Sequence, residues 1–258
     1  MTVKLVVVPI AIVSLLMLEY KFPFFAYQNS LRSRITNNFE LGIVNSIASS
    51  LFAIAIARFI PLDRSAPGIF TTISSPVIAG ILAFLVLDLY MYCWHRLMHI
   101  VPLAWRFHRV HHTDRTMNVS TAYRFHAIEI ISSSMPKLAL IWWLGIASNW
   151  VLGYELVFTL IVALHHSNLR LPAAIDRLLA FVILTPNYHR IHHSQIVAET
   201  NSNYSSVLSW WDRLFGTYRS RLDVENIQLG VSDEDRELNI WQSIALPILP
   251  SVDRGTER

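Results

Sequence analysis

Apolar and polar residues alternate along this chain in blocks of about the length that crosses a membrane. Val3 to Leu18 is almost wholly apolar and predicts a short first helix, and Leu41 to Ile60 and Pro76 to Trp94 predict two more. A polar link from Glu19 to Glu40 separates the first two runs. The first run is similar to the apolar core of a signal peptide, but no small-residue cleavage site follows it. We therefore interpret it as a membrane helix.

Two further apolar runs follow in the middle of the chain, at 127–147 and 150–164. Each is marginal for a straight span, because the first contains two charged residues and a proline and the second is short. We expect them to form a helical hairpin. The predicted fold is a single all-α, multi-pass membrane domain with three N-terminal transmembrane helices (1–94), a histidine-rich segment (95–126), the hairpin (127–164) and a histidine-rich cytoplasmic cap (165–258).

The composition supports a membrane protein. Hydrophobic residues make up 53% of the chain and charged residues only 15%, whereas soluble domains carry about a quarter charged residues. The net charge of +3 is mild, so the arginines suit a membrane surface and give no indication of nucleic-acid binding. Cys93 is the single cysteine, which excludes an internal disulfide framework.

Lysine and arginine are distributed unevenly between the two predicted sides of the membrane. The segments 19–40, 95–127 and 165–258 hold 3, 5 and 9 of them, whereas the opposite side holds only Lys4, Arg58 and Arg64. Cytoplasmic loops carry an excess of lysine and arginine. We therefore expect the histidine-rich segments and the C-terminus in the cytoplasm, and the N-terminus outside.

All eleven histidines lie between residues 95 and 193. Three clusters, which we call the first, second and third histidine boxes, are formed by His95 and His99; by His108, His111 and His112; and by His189, His192 and His193. The second and third boxes share the spacing H-x-x-H-H, and positions i, i+3 and i+4 of a helix lie on one face. Scattered packing histidines do not explain such matched clusters, so the spacing predicts a metal site.

The number of imidazoles indicates two metal ions. Four nitrogen ligands suffice for one tetrahedral zinc, and this chain offers ten or eleven. No E-x-x-H motif occurs, so a carboxylate-bridged di-iron bundle is not indicated. An all-nitrogen pair suits iron, because neutral ligands leave the oxidised metal electrophilic enough to attack an unactivated C–H bond. The spacing alone leaves a dizinc hydrolase open.

The boxes, in this order and at the end of an apolar run, resemble those of the fatty acid hydroxylase (sterol desaturase) superfamily of membrane di-iron enzymes. The resemblance covers roughly Asp88 to Tyr218, half of the chain, and the segment from Trp211 to Tyr218 is similar to the family's closing motif. The ligands that it implies are His95, His99, His108, His111, His112, His126, His166, His189, His192 and His193.

Other residues are expected close to these ligands. Asp88 lies two helical turns before His95, and is a hydrogen-bond partner either of a ligand or of a neighbouring helix. His165 is adjacent to His166 and points about 100° away from it, so we expect it to pack or hydrogen-bond instead of binding metal. Asp212, in the closing motif, is expected to cap a turn in preference to holding a ligand.

Two departures from the family's pattern affect this neighbourhood. The segment from Arg124 to Glu129 keeps the histidine and the acid of the family's R-x-H-P-x-E, but Ala127 replaces the proline, which predicts a less rigid loop. Glu129 is expected to hydrogen-bond to a ligand histidine. Ser205 follows the third box where the family tends to have glycine. The arginines that directly follow a box histidine are expected on a solvated cytoplasmic face: Arg96, Arg109 and Arg190.

The resemblance implies an enzyme that uses two iron ions, O2 and two electrons to oxidise a C–H bond of a membrane lipid. Hydroxylation of an acyl, sphingoid or related chain is expected first, and desaturation or methyl oxidation of a sterol-like lipid is the alternative. No haem-binding or flavin motif occurs, so we expect a separate donor, similar to cytochrome b5 or ferredoxin, with its reductase. Zinc is possible in purified protein. A metal transporter is disfavoured, because its ligands would lie at mid-membrane.

Overall fold

The structure, a computed structural model, describes residues 2–27, 31–57 and 68–249. Its α-helices are, in chain order, α1 (Thr2–Lys21), α2 (Leu31–Ala57), α3 (Pro76–Ile100), α4 (Pro102–His112), α5 (Ala127–Leu144), α6 (Ser148–His166), α7 (Ala173–Leu179), α8 (Pro186–His192), α9 (Val197–Thr200), α10 (Trp210–Leu214) and α11 (Ile240–Ala245). Short 3-10 turns occur at Ile69–Thr72, Val119–Tyr123, Val224–Asn226 and Leu246–Ile248. Over the described ranges the chain forms isolated β-bridges but no strand.

Among the described residues, five helices are long and apolar enough to cross a membrane: α1, α2, α3, α5 and α6. Many of their large apolar side chains are exposed, including Leu5, Ile47 and Ile81. Contiguous apolar surface of this kind is costly in water and favourable in lipid. The prediction of an all-α, multi-pass membrane fold is therefore confirmed, while the side of the membrane on which each end lies stays a prediction.

All five long helices have one end at the histidine-rich side of the molecule. The Glu19 carboxylate near the end of α1 accepts hydrogen bonds from the backbone N–H groups of Val119, at 3.1 Å, and Asn168, at 2.8 Å. Arg34, in the first turns of α2, lies 3.7 Å from Asp114, which follows the second box. Histidines of the sequence motifs lie at the end of α3, directly before α5 and at the end of α6. Hydrogen bonds and ion pairs thus join the ends of the helices to other segments at the histidine side.

The second helix begins ten residues earlier than the sequence predicted. The polar link expected from Glu19 to Glu40 ends at α2, because two polar residues of its first turns, Arg34 and Asn38, are buried against protein. The Asn38 amide, for example, donates to Asp114 at 3.2 Å and to Ser120 at 3.0 Å. A hydropathy pattern assigns such polar residues to a loop, because it does not show that they are buried against partners far away in the sequence. Residues 58–60, at the end of the predicted second run, lie outside the described residues.

Helices α5 and α6 form a hairpin. Gly145 ends α5 at a φ of 76°, a left-handed conformation that glycine adopts without strain. The side chain of Trp150 at the start of α6 packs so closely on Gly80 of α3 that a Cβ there would lie 2.8 Å from the ring. An ion pair also joins the two helices of the hairpin, between Lys137 and Glu155 at 2.8 Å.

The chain after α6 is built from short helices, and α10 lies alongside α3. The Trp211 indole donates to Asp88 at 2.8 Å, and the Phe215 ring stacks on Tyr92 with 5.2 Å between ring centroids. The segment that follows α7 packs against α10, where the Trp210 indole donates to the carbonyl of Phe181. This part of the predicted cap therefore lies beside α3, a candidate membrane helix, and not beyond its end.

Candidate metal centre

Nine buried or half-buried histidines converge in two groups. The first group is His95, His99, His108, His112 and His192, and the second group is His111, His166, His189 and His193. Within each group, one ring nitrogen of every residue lies within 4.8 Å of the others. These are nine of the ten ligands that the resemblance implied.

Helix geometry explains why each H-x-x-H-H motif serves both groups. His108 and His112 of α4 are one turn apart and belong to the first group, whereas His111 belongs to the second. Neighbouring helical residues point about 100° apart, so two adjacent histidines cannot share one metal position. The third box repeats this division, with His192 in the first group and His193 in the second.

Hydrogen bonds to Nδ1 fix the direction of several rings. The Nδ1 atoms of His95 and His192 lie 2.7 Å from the carbonyl oxygens of Tyr204 and Ser202. A carbonyl only accepts, so Nδ1 carries the proton and Nε2 keeps its lone pair. His108 differs, since its Nδ1 lies 2.7 Å from the Glu129 carboxylate, the arrangement that orients and strengthens a metal-binding imidazole.

The Nε2 atoms freed in this way face one another. His108 Nε2 lies 3.1 Å from His95 Nε2, and His166 Nε2 lies 3.0 Å from His111 Nε2. Lone pairs at such distances repel unless a proton or a cation lies between them. Among the described residues, the buried Nε2 of His192 has no hydrogen-bond partner. The donor set therefore fits two metal ions bound by nitrogen.

Burial keeps these imidazoles neutral. Desolvation, reinforced by the neighbouring His108, lowers the pKa of His192 to about 3. Desolvation and facing imidazoles also hold the pKa values of His111, His112, His189 and His193 well below the usual range. Neutral imidazole is the metal-binding form, so the protein holds these residues ready to bind.

His126 and His165 lie outside both groups. The Nδ1 of His126 accepts from the backbone N–H of Ile128 at the start of α5, and its Nε2 lies 3.3 Å from the Ile244 carbonyl. The geometry thus gives the ligand expectation for His126 no support, because the side chain caps a helix. The His165 ring packs on His189, with 4.0 Å between centroids, at the edge of the second group.

The two aspartates join separate segments by hydrogen bonds, none of which is to an imidazole. Asp88 accepts hydrogen bonds from Tyr154, Trp211 and the Leu208 N–H. Of its two expected roles, the structure shows the hydrogen bond to neighbouring helices. Asp212 accepts from the N–H groups of Tyr204 and Ser205, at 2.8 and 2.9 Å. Its effect on the centre is indirect, through the Tyr204 carbonyl that orients a histidine.

The expectation of a solvated face is wrong for two arginines. Arg190, in the third box, is fully buried and donates to the carbonyls of Ser167 and Leu169 at 2.9 and 3.0 Å. Arg109, in the second box, is also buried and is ion-paired with Asp233 at 3.1 Å. Each anchors a box to a distant segment, and no local sequence pattern distinguishes such an arginine from an exposed one.

Both departures from the family's pattern are accommodated locally. Ala127 occupies the first position of α5, where a proline would fit because its missing N–H is not needed. The nearby Asn203 has a φ of 52°, a left-handed conformation that asparagine tolerates, and its amide donates to the Tyr188 carbonyl. The backbone before Ser205 therefore turns without glycine.

A cavity of about 380 Å³ adjoins both groups. The histidines along it are His95, His108, His111, His165, His166 and His189. The rest of its lining is several serines and a set of apolar side chains that includes Met91, Trp94, Phe125, Ile130, Phe158 and Val162. The Phe125 ring stacks on His111 with 4.2 Å between centroids. A mostly apolar cavity with polar groups at defined points is typical of a binding site for a hydrophobic molecule.

The model of the fatty acid hydroxylase family matches residues 80–217, just over half of the chain. The chain belongs to this family. The match begins in α3 and ends after α10, so it contains all the histidines described above. The resemblance seen in the sequence is thereby confirmed.

Several characterised relatives share this region. The ornithine lipid hydroxylase OlsE of Rhizobium tropici is 30% identical over 152 residues, covering 59% of this chain and 45% of that protein. Alkylglycerol monooxygenase of Danio rerio is 30% identical over 164 residues, 62% of this chain and 34% of that protein. The fatty acid hydroxylase vlmA of Lecanicillium sp is 32% identical over 162 residues, covering 57% of this chain and 44% of that protein. The chain thus spans less than half the length of these relatives, and no solved structure matches it.

Proposed function

We propose that this protein is a membrane monooxygenase that inserts one oxygen atom of O2 into a C–H bond of a lipid. The observation that carries the proposal is the pair of converging imidazole groups beside an apolar cavity. The names of the relatives, two lipid hydroxylases and an alkylglycerol monooxygenase, support it.

We assign the nine converging histidines as ligands of two iron ions. Two irons bound there would supply the redox chemistry that O2 needs to attack an unactivated C–H bond. The overall reaction balances when a C–H bond, O2, two electrons and two protons give C–OH and water. The two electrons come from a separate donor protein, similar to cytochrome b5 or ferredoxin, with its reductase. Zinc in a purified sample would not contradict this assignment, because the general order of metal affinities does not favour Fe(II).

The chain's own residues bind the lipid and orient the ligands. Glu129 accepts from Nδ1–H of His108 and keeps that ring's Nε2 directed at the centre. Phe125, stacked on His111, forms part of the apolar wall beside the imidazoles. The apolar walls exclude water and hold the lipid chain beside the histidines, which supplies the positioning that such a reaction requires.

Hydroxylation is the reaction that we favour. A single flexible chain that enters the cavity presents one C–H bond at a time to the histidine end. Desaturation or methyl oxidation of a sterol-like lipid is the alternative, because the outcome depends on the placement of the chain. We also propose that the histidine side faces the cytoplasm, as the distribution of lysine and arginine indicates. We also propose the division of the chain into three N-terminal spans (1–94), the segment with the first two histidine boxes (95–126), the hairpin (127–164) and the cap with the third box (165–258).

The test is a lipid profile of cells that express the active protein, compared with cells that express the His192→Ala form. We expect a lipid heavier by one oxygen in the active sample only, because His192 is one of the assigned ligands. A lipid lighter by two hydrogens, with no oxygenated counterpart, would make the protein a desaturase. Cleaved lipids without oxidation would indicate a dizinc hydrolase.

A further inference from the structure

An ion pair lies inside the α5–α6 hairpin, within two helices that are long and apolar enough to span a membrane. Lys137 Nζ lies 2.8 Å from Glu155 Oε1, and the two side chains are 19% and 25% exposed. Charged residues are rare in such helices and face a bundle interior or a cavity, so they are functional candidates by default.

The ion pair lines the same cavity as the histidines. Among the residues of α5 and α6 that line it, Lys137 and Glu155 lie farthest from the histidine end of each helix. Lys137 is ten residues after the start of α5, and Glu155 is eleven residues before the end of α6. At the rise of an α-helix these separations are about 15 and 17 Å. The two separations agree, so the ion pair lies at the far end of the cavity wall that α5 and α6 form.

The hydrogen-bonding capacity of the ion pair is not exhausted. An ammonium group has three donors, and a carboxylate has about four acceptor positions. Among the described residues, each of the two charged groups has one hydrogen-bond partner, which is the other. A hydrocarbon terminus at this point would leave the remaining donors and acceptors uncompensated, which is costly away from water. A neutral group that both donates and accepts would satisfy them, whereas a ligand carboxylate would be repelled by Glu155.

We propose that Lys137 and Glu155 form a polar subsite that binds a hydroxyl or amide group of the lipid, at the opposite end of the cavity from the histidines. This inference rests on the proposed function only for the event at the histidine end. An extended chain advances about 1.2 Å per bond. The lipid therefore carries its hydrogen-bonding group on the order of a dozen bonds from the carbon that is oxidised.

The experiment offers the purified full-length protein an equimolar mixture of dodecanoic acid and 12-hydroxydodecanoic acid. Native mass spectrometry measures the ratio of the two bound ligands. The ligands differ only in the terminal hydroxyl, which reaches the far end of a cavity of this length. One hydrogen bond to a charged group corresponds to a preference of about tenfold or more for the hydroxylated acid.

Two double variants test the role of the ion pair. Lys137→Met with Glu155→Met removes both charges, leaves neither unpaired and keeps the side-chain lengths similar, so folding is preserved. We expect it to lose the preference. Lys137→Glu with Glu155→Lys restores the pair in reverse and should keep the preference. Together these results would establish the subsite.

An equal ratio of ligands in the wild-type protein and the double-methionine variant would overturn the proposal, and the ion pair would then be a tie between helices. Binding of neither acid would overturn it as well. The readout does not depend on catalysis. A preference for the hydroxylated acid without any oxygenated lipid in cells would therefore refute the proposed function and leave the subsite standing.

Discussion

Adjacent histidines of this chain have different tasks, and simple helix geometry explains why. His111 and His112 belong to different groups, as do His192 and His193, because neighbouring helical positions point about 100° apart. The same rule predicted that His165 would not join His166. The sequence could not predict the place of His126, because only the fold determines whether its ring faces the other histidines or the backbone of α5.

A matched pair of variants tests this division at the level of single residues. His111→Ala should deplete the bound metal, because it removes one nitrogen from the group of four. His126→Ala should keep two metal ions per chain, since among the described residues the hydrogen bonds of that ring are to backbone atoms and no metal-binding group includes it. The measurement is elemental analysis of anaerobically purified protein, with membrane insertion as the control. Equal loss of metal in both variants would return His126 to the ligand set.

Hydropathy predicted the helices whose exposed faces are apolar. It predicted less well those parts of helices whose polar side chains contact other segments of the protein. The runs that became α1, α3, α5 and α6 are visible in the sequence because their exposed faces are apolar. The start of α2 was missed, because Asn38 and Arg34 bind Asp114 about 80 residues away. The position of α10 beside α3 was also not predictable, since it depends on Trp211 reaching Asp88.

The packing of α10 on α3 predicts that this part of the chain contacts lipid. Leu178 of α7 and Leu214 of α10 are exposed, and α10 contacts Asp88 through Trp211, whereas the exposed Leu222 has charged neighbours. After Cys93→Ser, a fluorescent label on Leu178→Cys or Leu214→Cys should be quenched by nitroxide lipids in liposomes. A label on Leu222→Cys should respond to a water-soluble quencher instead. Quenching of the Leu214 label from water alone would show that α10 lies outside the bilayer.

On the scale of the whole molecule, the long helices form a bundle whose histidine side holds the candidate metal centre. Because α1, α2, α3, α5 and α6 each have one end there, the start of α1 and the turn between α5 and α6 lie on the opposite side of the bundle. A reporter inserted at Gly145 should therefore be external, and one inserted at Leu222 cytoplasmic. If both reporters were on the same side, the hairpin would enter the membrane and return without crossing it.

The proposed function requires that the two histidine groups direct an oxygen atom from O2 into a lipid. Its most direct test is growth of expressing cells under ¹⁸O2, followed by mass spectrometry of their lipids, with the His192→Ala form as control. We predict a lipid that carries one ¹⁸O atom in the active sample and is absent from the control. An oxygenated lipid without ¹⁸O, or one that forms equally with His192→Ala, would contradict the account.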